Sequence, residues 1–197
     1  MVEIDIPMPA QPAIMRERAV SWSAIFAGAV VAVATGLILT LLAAGFGLAL
    51  GFPGLSTQAS LQAFTPELGA TAMAIQVICG GLAGYLAGRL RTVWLHSHGD
   101  EAHFRDTAHG LIAWALATVA AVVLAATVLG PYAEHLAGDL ALSAPTTPDQ
   151  TLRAANIAAQ AAFFTAVGML LSAFVAAVAA RLGGLQTEEM HQRFIGR

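Results

Sequence analysis

Lysine is missing altogether: the nine basic residues among 197 are all arginine. A P-loop lysine, a pyridoxal-phosphate Schiff base, a Ser-x-x-Lys nucleophile and a kinase lysine are thereby excluded. Asp100-Glu101-Ala102-His103 spells the four letters of a helicase box. The phosphate loop which that box accompanies is absent, so the match carries no chemistry. G-x-S-x-G and H-E-x-x-H are absent too. Cysteine occurs once, at Cys79, which rules out an intrachain disulfide and a Cys-based zinc site. Charge is scarce as well, at 11% of residues, against roughly 25% in soluble domains. So few charges do not cover a water-exposed domain that is 57% hydrophobic. A bilayer removes the difficulty, because lipid is an acceptable neighbour for the excess apolar surface. The net charge of -3, with no basic patch, gives no reason to expect nucleic acid as a partner.

What is present is length of apolar run. No charge interrupts the chain from Ala19 to Pro66, and the stretch from Ser21 to about Leu50 exceeds a signal-peptide core. Phe52-Pro53-Gly54 ends it. Thr65-Pro66-Glu67 and Thr147-Pro148-Asp149-Gln150 each supply an N-cap, a first-turn proline and an acid at the positive end of a helix dipole. Gly130-Pro131 and Gly183-Gly184 read as stops. The expectation is an all-α integral membrane four-helix bundle with spans at 21–50, 68–90, 110–130 and 152–182. Residues 1–18 read as a disordered cytoplasmic tail, 19–184 as the transmembrane domain and 185–197 as a polar cytoplasmic tail. Arg16, Arg18, Arg89, Arg91, Arg105, Arg181, Arg193 and Arg197 fall on one side of such a bundle and only Arg153 on the other. The positive-inside rule then puts both termini in the cytoplasm. Trp22, Trp94 and Trp114 read as an aromatic belt at that interface.

Glycine is spaced for close packing. Gly80, Gly84 and Gly88 recur every four residues, and so do Gly28, Ala32 and Gly36. Such ridges let two helix backbones approach, within a monomer or between copies. A shift of 92 residues overlays the first helix on the third, Trp22 on Trp114 and Val30-Val31 on Val122-Val123. The same shift sets Gly80, Gly84 and Gly88 on Ser172, Ala176 and Ala180, and Arg89 on Arg181. Duplicated hairpins in series form a parallel repeat, in which the two ridges are natural partners.

The polar link from Trp94 to His109 is the one concentration of ionisable groups. His96, His98 and His103, with Asp100 or Glu101, are of metal-ligating type, but they match no ligand spacing. The alternative is a solvated link with Asp100 as N-cap and Glu101–Arg105 as an i,i+4 pair. No metal and no cofactor is expected. Arg89, His109 and Arg181 mark the cytoplasmic interface. Gln76, Asn156 and Gln160 are neutral intramembrane polar groups, suited to interhelical hydrogen bonds or to the lining of an oligomeric passive channel. With no charge mid-span, ion-coupled transport is disfavoured. The functional expectation is a non-catalytic inner-membrane protein acting through helix packing, in an assembly, scaffold or envelope-homeostasis role. Its partners are the lipid bilayer and either a second copy or another membrane protein.

Gly84, Ala87, Gly88 and Arg89, followed by His109-Gly110, resemble the G-G-x-x-A-G-R … H-G pattern of small four-span bacterial membrane proteins that are labelled hypothetical. The opening Val20 to Gly28, V-S-W-S-A-I-F-A-G, is similar to the start of related proteins. The double glycine Gly80-Gly81 stands earlier here than in that pattern, and the link is longer. The resemblance implies the four-span topology and a bacterial membrane, and it implies no activity.

Overall fold

A computed structural model describes residues 20–50, 65–91, 99–130 and 147–195. The expected tail 1–18 and the link residues Trp94, His96 and His98 lie outside the described residues. The protein is all-α. Helix α1 spans Trp22–Leu50, α2 Pro66–Arg89, α3 Gly99–Leu124 and α4 Pro148–Ile195. A π-helical turn, Ala125–Leu129, continues α3. All four are long and apolar enough to cross a membrane.

Local chemistry accounts for the starts. Thr65 Oγ1 accepts the Leu68 N–H at 3.3 Å, with Pro66 and Glu67 in the first turn of α2. At α4 the Thr147 hydroxyl accepts the Gln150 N–H while Gln150 Oε1 accepts the Thr147 N–H, both at 3.3 Å. That reciprocal pair is a capping box.

Two expected boundaries are corrected. Helix α3 starts at Gly99, well ahead of the expected span 110–130 and close to the alternative start at Asp100, which lies in its first turn rather than at its cap. The polar residues before the apolar run keep a helical face, with Asp106, His109, Gly110, Ala113 and Ala117 all buried. Helix α4 passes through Gly183-Gly184 without a break and ends at Ile195, so residues 185–195 extend the helix. Those glycines serve close packing: a Cβ on Gly183 would lie 2.9 Å from Arg89 N, and one on Gly184 2.7 Å from Asp106 Cγ. The roughly 1 kcal/mol that a mid-helix glycine costs relative to alanine is accepted for that approach.

Helix α2 packs against the other three, most extensively against α4. Helix α3 packs against α1 and α4, whereas α1 and α4 scarcely touch among the described residues. The interior inverts the soluble pattern. Alanines 24, 29, 32, 83, 87, 113, 117, 176 and 180 are buried, while Leu41, Leu170 and Phe174 are about 70% exposed (72%, 73% and 68%). Small residues inside let helices meet by backbone contact, and large apolar side chains face outward, as lipid exposure requires.

Register differs between the two parallel pairs. Across α2 and α4, Gly80 meets Ser172, Gly84 meets Ala176 and Gly88 meets Ala180, at the 92-residue offset of the sequence echo. Across α1 and α3, Ser21 meets His109, and Ile25 and Ala29 share a cluster with Ala113 and Ala117. That offset is 88, one turn short. Trp114 therefore sits a turn deeper than Trp22 and lines a cavity between helices.

Candidate functional site

Burial is concentrated where α1 begins, α2 ends, α3 begins and α4 approaches its end. No residue of α1 after Ala32 and none of α3 after Ala117 is fully buried among the described residues. The bundle is closed at this arginine-rich end and splayed at the other.

Three polar constructions close it. Arg91, just past α2, and Asp106 of α3 form an ion pair with side chains 0% and 2% exposed. Arg91 Nη2 donates to Asp106 Oδ2 at 3.0 Å, and Nε lies against Oδ1 in the same ion pair. His109, 2% exposed, accepts the Ser21 N–H on Nε2 at 3.0 Å. Its Nδ1 stands 2.7 Å from the Arg105 carbonyl, so Nδ1 carries the proton. Both ring nitrogens are thus engaged, one of them at the start of α1. Finally, the extension of α4 covers the end of α2. Tyr85 Oη and Arg89 Nη1 both donate to Gln186 Oε1, at 2.7 and 3.0 Å, and Thr187 Oγ1 shares its proton between the Arg89 carbonyl at 3.1 Å and the Gly183 carbonyl at 3.0 Å. The bond to Arg89 satisfies a helix-end acceptor that has no partner within its own helix.

The glycine contacts run down from this cap. A Cβ on Gly84 would lie 2.7 Å from the Ala176 carbonyl carbon and 2.8 Å from its Cα; on Gly88, 2.7 and 2.9 Å from those of Ala180. Gly80 faces the Ser172 carbonyl oxygen at 2.7 Å on the same construction, and Ser172 Oγ donates to the Gln76 carbonyl at 2.7 Å. Gly28 of α1 faces Ala83 and Ala87 of α2, whereas Gly36 meets only Cys79 Sγ, at 3.4 Å. Gly110 faces Ala176 and Ala180 from α3, so α4 is gripped on two sides.

The polar residues expected mid-membrane are not brought together. Gln76 lines a cavity of about 370 Å³ enclosed by α1, α2, α3 and part of α4. Asn156 and Gln160 are exposed on α4 and do not line it. Arg181 is exposed. Glu101 and Arg105 pair across one turn of α3, and no cluster of three metal-ligating side chains exists among the described residues.

The Arg91–Asp106 pair, the Gly110 and Gly183-Gly184 contacts and the Gln186–Thr187 cap were not foreseen. Asp106, His109 and Gly110 stand at i, i+3 and i+4, which is the signal that extends the α3 face back into the polar link. No comparable sequence signal joins Gly184 to Asp106. No protein-family model matches the chain, and no curated protein or solved structure matches it either.

Proposed function

We propose that the protein is a non-catalytic bacterial inner-membrane protein, with both termini in the cytoplasm, that acts through helix packing in an assembly, scaffold or envelope-homeostasis role. The observation that carries this reading is how the buried ionisable groups are spent. Arg91 and Asp106 bind each other, and His109 binds backbone on both nitrogens. These groups hold helix ends together and present no reactive atom to a substrate. The orientation rests on the arginine bias: among the described residues, Arg89, Arg91, Arg105, Arg181 and Arg193 lie toward the end formed by Ser21, His109 and Gln186, and Arg153 toward the other.

Partner surface is ample in this reading. At ~1.5 Å per residue α4 is about 72 Å long, well beyond a ~30 Å hydrocarbon core. In the 92-residue register it begins ten residues before α2 and continues past Arg89 by more than three turns. These projecting ends, and the exposed apolar faces, are where a second copy or another membrane protein would pack.

The test is mild extraction from native membranes after cross-linking, followed by native electrophoresis. The expected result is a discrete complex larger than the 20.3 kDa chain. Flux of a small solute through liposomes containing the purified protein, lost in Gln76→Leu, would instead support the oligomeric passive channel.

A further inference from the structure

Arg89 stands at a defined depth. The chain carries no charge between Glu67 and Arg89, a stretch of about 33 Å at ~1.5 Å per residue of helix. That length matches a ~30 Å hydrocarbon core, so Arg89 lies at headgroup level at the arginine-rich end. What holds its guanidinium there is neutral. Nη1 donates to Gln186 Oε1 at 3.0 Å, and Nη2 meets Met190 Sδ at 4.0 Å. No carboxylate lies within ion-pair distance of Arg89 among the described residues. The end of α2 offsets only part of the charge, because a helix dipole amounts to about half a charge and Thr187 already covers the Arg89 carbonyl. Glu189, exposed a turn beyond Gln186, stands four residues before Arg193, which offsets it.

Donors remain unused around this charge. A guanidinium has five N–H groups, and its two contacts leave the others free. Because Arg89 can only donate, Gln186 turns its carboxamide oxygen toward it, and Tyr85 Oη donates to the same oxygen at 2.7 Å. The Gln186 amide nitrogen is left with no partner among the described residues. A positioned cation with spare N–H groups beside it suits a phosphate oxyanion. Below it the seam is apolar. Leu182 and Val178 continue the Gln186 stripe of α4, 54% and 44% exposed, and Ile78 continues the Tyr85 stripe of α2, 49% exposed. Between them a Cβ on Gly81 would meet only Val175 Cγ1, at 3.3 Å. That is a shallow track running from the cation into hydrocarbon. A lipid fills both parts, and a soluble phosphate only the first.

We propose that Arg89 and Gln186 bind the phosphate of a membrane lipid, whose acyl chain lies along the α2–α4 seam. The full chain, purified in nonionic detergent and stripped of lipid, is melted with added phosphatidylglycerol. Two controls separate the sources: diacylglycerol carries the chains without the phosphate, and glycerol phosphate the phosphate without the chains. A saturable rise in melting temperature is expected for phosphatidylglycerol alone. Arg89→Gln should abolish that rise. Gln186→Glu keeps an acceptor for Tyr85 and Arg89 while supplying the missing counter-charge, so the fold stands. Its half-maximal lipid concentration should be about tenfold higher, the factor one charge-assisted hydrogen bond supplies. Arg181 is exposed and stands two residues before Gly183, which turns it away from α2. Arg181→Gln should therefore leave the titration unchanged. A titration that Gln186→Glu leaves unmoved, one that Arg181→Gln weakens equally, or an equal rise with diacylglycerol overturns the proposal. Saturation by glycerol phosphate at the same concentration overturns the lipid as its source.

Discussion

Gly184 of α4 packs directly against the carboxylate of Asp106 on α3: a Cβ at that glycine would lie 2.7 Å from Asp106 Cγ and 3.1 Å from Arg91 Nη2. A glycine in the interior of a 48-residue helix thus seals a buried ion pair that joins the end of α2 to the start of α3. Gly184→Ala should therefore destabilise the protein although alanine is the better helix former. The measurement is thermal melting in detergent, with Gly45→Ala as the control. Gly45 has nothing within 4 Å of its Cβ position, and that substitution should be neutral or stabilising.

Removing one member of the pair should cost more than removing both. Asp106→Asn leaves the Arg91 guanidinium buried without its counter-charge, a loss of about 3–5 kcal/mol by comparison with other buried pairs. The double replacement Arg91→Met/Asp106→Leu should recover much of that loss. Chemical denaturation of the three variants gives the comparison. A double variant as unstable as the sum of the two singles would show that the two charges do not act as a unit.

His109 should matter as an acceptor at a helix start. His109→Ala leaves the half-buried Ser21 N–H without its acceptor, at a cost of about 1 kcal/mol. His109→Gln restores an acceptor and should recover part of it. Hydrogen exchange at the first turn of α1 distinguishes the two: protection there should fall in the alanine variant and return in the glutamine variant.

Much of this fold is legible in the sequence because a bilayer imposes simple demands. Long apolar runs, Thr-Pro-acid starts and four-residue glycine spacing each have one physical meaning, and α1, α2 and the beginning of α4 lie where those signals place them. The start of α3 and the end of α4 are less legible, since both lie in polar sequence where hydropathy gives no signal. Gly183-Gly184 reads as a stop from local propensity, and only the tertiary neighbours Tyr85, Arg89 and Asp106 explain its helical state. The Arg91–Asp106 pair is invisible for a similar reason: each residue alone looks like an interfacial charge. The equal treatment of Gln76, Asn156 and Gln160 also reflects what composition omits, namely which way a helix turns each residue.

Orientation is tested by reporter fusions. Fusions at residues 60 and 140 should report the periplasm, and fusions at residue 98 and the C-terminus the cytoplasm, as the arginine asymmetry requires. A cytoplasmic signal at residue 140 would remove the four-span topology with paired hairpins.

The seam between α2 and α4 carries the central claim, that backbone contact through glycine holds this bundle. Gly84→Leu, Leu82→Ala and Gly81→Ala should be melted side by side in detergent. Leucine at Gly84 must displace the Ala176 backbone itself, which should cost about 3 kcal/mol or more. Alanine at half-buried Leu82 should cost less, and Gly81→Ala, which meets only Val175 Cγ1 at 3.3 Å, should cost least. Gly84→Leu melting at the lowest temperature of the three is the expected result; Gly84→Leu melting with the wild type would contradict it.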